Sequence, residues 1–189
     1  MKNLNDLRDK AYQCAVKHGW HEIEYNNEHF ICLVISELME AVEADRKRDY
    51  AGKGMKELFN DAIFDGEDFK EIFDLNLKGT VEEELADACI RLLDLAGLRN
   101  VDLGEVTLDD LKCSEGFFDW TFTESIFFLV CNLANTNFIE THSFDSCLRV
   151  ALMEIMGFCV KKDIDIFWYI EQKMKYNELR PFMHGGKAY

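Results

Sequence analysis

Proline is almost missing from this chain: Pro181 is the only one in 189 residues. Nothing else of that kind interrupts helical geometry, and long stretches repeat their apolar positions with a period near 3.6, while no strand-and-turn pattern competes. The expected fold is therefore all-α. Long hydrophobic runs are also missing. The longest, Ile126 to Cys131, is about six residues, against the roughly 20 that a membrane-spanning helix needs. The opening MKNLNDLRDKAYQ is charged and helical where an export signal would have an apolar core, so neither export nor membrane insertion is expected.

Cysteine spacing of the CxxC kind is absent as well. The seven cysteines, an odd number, fall at 14, 32, 89, 113, 131, 147 and 159, mostly inside apolar helical runs, and read as reduced core residues of a cytoplasmic protein. Positive charge is scarce: 21 lysines and arginines stand against 36 acids, a net charge of −15. Binding to a nucleic acid polymer draws on neutralised phosphates and is excluded as an expectation. A small polyphosphate is not, because a divalent ion can bridge an acidic pocket and an anionic ligand.

What is present is enough apolar residue, 48% of the chain, to bury one sizeable core, and residues 1–189 are expected to form a single helical domain. The periodicity and caps predict a helix over 4–18, a loop GWHEIEYNNE, and a long helix from Glu28 to Asp49. An acidic, aromatic-rich insert (50–79) follows, with two short amphipathic pieces at Met55–Phe64 and Asp68–Leu75. These read as a packed excursion in preference to a lid. Thr80, with Glu83 at the capping-box position, starts a third main helix that runs to Gly97. Residues 101–162 add a helical pair near Thr123–Asn135 and Phe144–Lys161, and a last helix starts near Asp163 and stops before Pro181.

Two of these helices carry acids three positions apart, Glu37 with Glu40 and Glu84 with Asp87, a spacing that projects both heads from one side of a helix. At about 100° per residue, Glu37 lies within roughly 40° of Phe30, Leu33, Ala41 and Ala44, so the first pair sits on the apolar side. Ionised carboxylates are costly there unless paired, and two about 4 Å apart repel by roughly 4 kcal/mol at an intermediate dielectric. Such a cluster calls for a cation. The second pair shares a stripe with Arg91 and Asp94 beside the apolar face of Val81, Leu85, Ala88, Leu92 and Leu95, and reads as rim. The ordinary alternative is that both pairs are solvated faces of amphipathic helices. No lysine on either helix faces its acids, and all-oxygen ligands favour Mg²⁺ or Mn²⁺ over zinc. A di-iron bundle would need ExxH motifs, and none of the five histidines has a glutamate three residues earlier.

The segment KMKYNELRPFMHGGKAY differs from the rest: Lys173, Lys175, Arg180 and Lys187 face only Glu178 in charge. Lys173, Asn177 and Arg180 share a helical face, where lysine and arginine suit phosphate oxygens and the amide of Asn177 suits a base or sugar edge. Complementing the dipole of a helix C-terminus is the plainer explanation of those cations.

There is also a faint internal echo. ALMEIMGFCVKKDIDI around Gly157 resembles RLLDLAGLRNVDL around Gly97, and IFFLVCNL resembles FICLVISEL. In that register Phe144 and Cys147 replace Glu84 and Asp87, and the fourth main helix offers Val130, Leu133 and Asn135 in place of acids.

With SELMEAVEADR (36–46), EEELADACIRLLDLAG (82–97), the KMKYNELRPFMHGGKAY tail and, more weakly, HGWHE (18–22), the chain resembles the MazG-like all-α nucleoside triphosphate pyrophosphohydrolases, relatives of the dimeric dUTP pyrophosphatases. The family pattern EExxE then ExxD is matched at Glu37, Glu40, Glu84 and Asp87, whereas its first acid is Ser36 here. The resemblance implies a helical bundle with a second helical pair that has lost its acids, and Mg²⁺-dependent hydrolysis of a (deoxy)nucleoside triphosphate to monophosphate and pyrophosphate. It further implies Glu37 and Glu40 as the catalytic acids, Glu40, Glu84 and Asp87 as metal ligands, Glu37 as a further ligand or the base that orients water, and Lys173 and Arg180 as phosphate ligands. Asn177 would contact sugar or base, Trp20 would stack on a base, and assembly would be as a homodimer or higher homo-oligomer. Ser36 and the inserts equally suit a non-catalytic nucleotide- or metal-binding regulatory protein of the same fold.

Overall fold

The computed structural model describes residues 1–112, 120–135 and 143–183. Among these the chain is helical throughout: α1 (Leu4–Lys17), α2 (Asn27–Lys47), α3 (Met55–Phe64), α4 (Phe69–Asn76), α5 (Val81–Leu98), α6 (Leu108–Lys112), α7 (Phe122–Asn135), α8 (Phe144–Lys161) and α9 (Ile166–Glu178). The all-α expectation holds. The exceptions are two-residue strands, β1 (Lys2–Asn3) and β2 (Glu105–Val106), paired antiparallel with Lys2 opposite Val106 and Asn3 opposite Glu105. Elements this short leave no period in a sequence, and α6 escapes for the same reason.

Local chemistry explains where the helices begin. Asn26, Thr80, Ser143 and Asp165 accept hydrogen bonds from the backbone N–H of His29, Glu83, Ser146 and Trp168 respectively, each satisfying a donor that a helix start leaves open. Asp165 caps two residues after the predicted start near Asp163, and α9 stops before Pro181 as expected.

The central element is α5. It packs against α1, α2, α8 and α9 at once, so Leu85, Ala88, Leu92 and Leu95 are fully buried and its acidic first turn is covered too. Gly97 lets α1 approach: a Cβ there would lie 2.5 Å from Cβ of Tyr12, closer than two side chains can pack. Helices α2, α5, α8 and α7 each touch the next, and α7 closes back on α2. The α7–α8 pair therefore stands beside the acid-bearing α2–α5 pair, with Asn132 donating to Glu154 at 2.9 Å between its two helices.

The insert is a packed excursion. Phe59, Ile72, Phe73 and Leu77 are buried; Phe73 stacks on Tyr176 at 4.2 Å and Phe59 meets Trp168 edge-on at 5.5 Å, fixing α3 and α4 to α9. One apolar cluster runs from Leu4 to Tyr176. Of the cysteines, Cys89, Cys147 and Cys159 are buried, Cys14 and Cys131 are half-buried and Cys32 is exposed, all as free thiols; Cys113 lies outside the described residues. No helix among the described residues is long and apolar enough to cross a membrane.

Candidate metal centre

Three carboxylates from two helices converge where α2 crosses α5: Glu37, Glu84 and Asp87 each place an oxygen within 4.8 Å of the others. Residues 37 and 84–87 face one another because the apolar stripes of both helices pack together on either side of them. Glu37 is buried, as its place on the apolar face predicts. The second pair lies deeper than a solvated face: Glu84 is 9% exposed and Asp87 is half-buried, and the neighbouring Glu82 and Glu83 are more deeply covered. The sequence places these acids at the edge of α5's apolar stripe, but α9 and the turn at 77–79 close over that edge. Glu40 is exposed and lines the same cleft, outside the close group of three. It stands about one-sixth of a turn from Glu37, toward the cleft mouth.

Two cations enter the cluster. Arg91, which the sequence places on the acid stripe, donates from Nε to Oε1 of Glu37 at 3.0 Å. Lys173, which the resemblance implies as a phosphate ligand, lines the cleft and is 6% exposed; its ammonium touches Oε1 of Glu83 and lies 2.7 Å from Oδ2 of Asp87. A count of charges in sequence reveals the sign of the C-terminal segment but not its depth, which α9 sets by packing on α5. Lys175 is the exposed one, with its Nζ 4.0 Å from the centroid of the Phe69 ring. Lys187 lies outside the described residues.

Glu83 is the residue whose role sequence reasoning understated. The capping-box signal was visible, and Oε2 does accept the Gly79 N–H at 3.0 Å, but its other oxygen serves Lys173.

The electrostatics separate the acids. Burial, then the charge of Asp87, pushes Glu37 up to about 7 despite Arg91. Burial, then Glu83 and Asp87, pushes Glu84 up to about 8. Burial would raise Asp87 as well, but Lys173 and then Arg91 outweigh it and hold this carboxyl below its ordinary value. With all of them ionised, Glu37, Glu83, Glu84 and Asp87 carry two more charges than Arg91 and Lys173 cancel. An all-oxygen donor set with that surplus fits a hard divalent cation such as Mg²⁺ or Mn²⁺.

The cluster opens into a cleft of about 620 Å³ that also presents Ser36, Lys78 and Arg180, within the size range of small-molecule sites. A smaller hollow of about 60 Å³ adjoins it, sharing Asp87, Arg91 and Arg180 and adding Trp20, His18, Asp94 and Asn177. Trp20, Asn177 and Arg180 are thus brought together beside the acids, while Lys173 and Arg180 meet on the cleft side. Oδ1 of Asn177 is buried without a partner among the described residues. Residues of the HGWHE segment hold this corner: His18 bonds through Nε2 to the Arg180 carbonyl at 3.0 Å, and Nε2 of His21 lies 2.8 Å from Oδ1 of Asp94.

No family model, curated protein or solved structure matches the chain.

Proposed function

We propose that the protein is a Mg²⁺-dependent nucleoside triphosphate pyrophosphohydrolase of the MazG-like kind, cleaving a (deoxy)nucleoside triphosphate to monophosphate and pyrophosphate. The observation that supports this reading is the convergence of Glu37, Glu84 and Asp87 within 4.8 Å at the floor of a cleft that also carries Arg180 and Lys78. Glu84 and Asp87 would hold the cation beside Glu37, with Glu40 at the cleft mouth. When bound, Mg²⁺ supplies Lewis-acid polarisation of phosphoryl oxygens and acidifies water. Glu37, aimed by Arg91, is either a further ligand or the base that orients the attacking water and takes its proton. Arg180 and Lys78 neutralise the phosphate tail, and Trp20 and Asn177 receive the nucleoside.

A second reading, a nucleotide-binding protein without turnover, is favoured by one observation: Lys173 already gives the cluster an internal cation. A panel of ribo- and deoxyribonucleoside triphosphates with Mg²⁺, assayed for pyrophosphate, separates the two. The enzyme reading requires pyrophosphate and monophosphate from at least one triphosphate, and loss of both products in Glu40→Gln and Glu84→Gln. Nucleotide binding without either product supports the second reading, and undiminished turnover in the variants removes the acids from the chemistry.

A further inference from the structure

Lys173 is a cation of the protein's own inside a cluster that, on the reading above, takes a divalent ion. A buried ammonium 2.7 Å from Asp87 competes for the same carboxylate. Glu83, 2% exposed, touches the same ammonium. Glu83 is itself fixed, because its second oxygen takes the Gly79 N–H at 3.0 Å and its own N–H donates to Thr80 Oγ1 at 3.4 Å. The turn before α5 thus anchors Glu83, Glu83 anchors Lys173, and Lys173 meets Asp87. Glu83 is not among the three residues whose oxygens converge.

We propose that Glu83 is a positioning residue: by sharing the Lys173 ammonium it keeps that charge from settling wholly on Asp87, and so sets how tightly the cluster binds a divalent cation. The inference rests on the reading of Glu37, Glu84 and Asp87 as a cation site. Without Glu83's charge the ammonium has one carboxylate left, and Asp87 is neutralised from within. Partners outside a metal's own ligand set commonly change its affinity by about 10–100-fold.

The test measures Mn²⁺ binding to the whole protein by electron paramagnetic resonance, with no substrate present. Gln at position 83 still accepts the Gly79 N–H, so Glu83→Gln keeps the cap and loses the charge. The expected result is a Kd raised about tenfold or more in Glu83→Gln, and recovery to within about threefold of wild type in Glu83→Gln/Lys173→Met, where the competing ammonium is gone. A merely structural role for Glu83 predicts no recovery in the double variant, and that result overturns the proposal. So does an unchanged Kd in Glu83→Gln. Should Glu83→Gln fail to fold, Lys173→Met alone decides: affinity equal to or tighter than wild type supports the proposal, and weaker affinity overturns it. Wild-type protein that binds no Mn²⁺ overturns the cation site itself, a failure distinct from binding that ignores Glu83.

Discussion

Arg91 of α5 donates to Glu37 of α2 at 3.0 Å, and this hydrogen bond ties the two acid-bearing helices together at the point where their carboxylates converge. Charge-assisted bonds of this kind contribute about 1.5–3 kcal/mol. Arg91→Met is expected to lower stability by about 2 kcal/mol, roughly 4–8 °C in Tm for a chain of this size. Thermal melts followed by circular dichroism check this, and an unchanged Tm would show that the pair contributes nothing to holding α2 on α5.

The acids give stability a pH dependence of definite sign. Glu37 and Glu84 titrate near 7 and 8 in the folded protein against an ordinary value of 4.5. The folded state therefore holds protons that the unfolded chain has released, and the contribution of these two groups is full below about pH 4.5 and lost as pH rises through 7–8. A bound divalent cation reverses this by stabilising the ionised form. In chelator, Tm should fall between pH 5.5 and 8.5, and the gain in Tm on adding Mg²⁺ should grow over the same interval. A gain that is equal at both ends of the range speaks against metal binding by these carboxylates.

The insert should act on the site through α9. Phe73 is 1% exposed and stacked on Tyr176, three residues from Lys173. Phe73→Ala is expected to cost about 3–5 kcal/mol in urea denaturation. A cost below about 1 kcal/mol would mean that α4 lies on α9 without supporting it.

Asn177 tests the nucleoside end. Its Oδ1 is buried with no partner among the described residues, so Asn177→Leu removes an unsatisfied acceptor and should leave Tm unchanged or raise it. If that acceptor meets the base or sugar, KM for the preferred triphosphate should rise about tenfold, matching the loss of one hydrogen bond. Steady-state kinetics over the nucleotide panel measure it; an unaltered KM places the nucleoside elsewhere.

Much of the scaffold was legible in the residues. The 3.6 period and the capping residues located α1, α2, α5, α7 and α8 to within a residue or two, and α3 at both ends, because caps and amphipathic stripes are local properties. The burial of Glu37 was legible too, since Phe30, Leu33, Ala41 and Ala44 surround it on the helix wheel. The depth of Glu84 was not, because what covers it comes from α9, far along the chain. The depth of Lys173 is hidden for the same reason: its charge is legible in the sequence, and only the docking of α9 sets it beside Glu83 and Asp87. Glu83 was recognised as a cap because that bond is four residues long, while its partner stands 90 residues away.

That separation carries a consequence for biogenesis. A growing polypeptide has made Glu37, Glu83, Glu84 and Asp87 before it makes the lysine that answers Glu83 and Asp87. Until α9 docks, Glu83 and Asp87 face water in place of the Lys173 ammonium, so the cleft matures only when that helix packs onto α5.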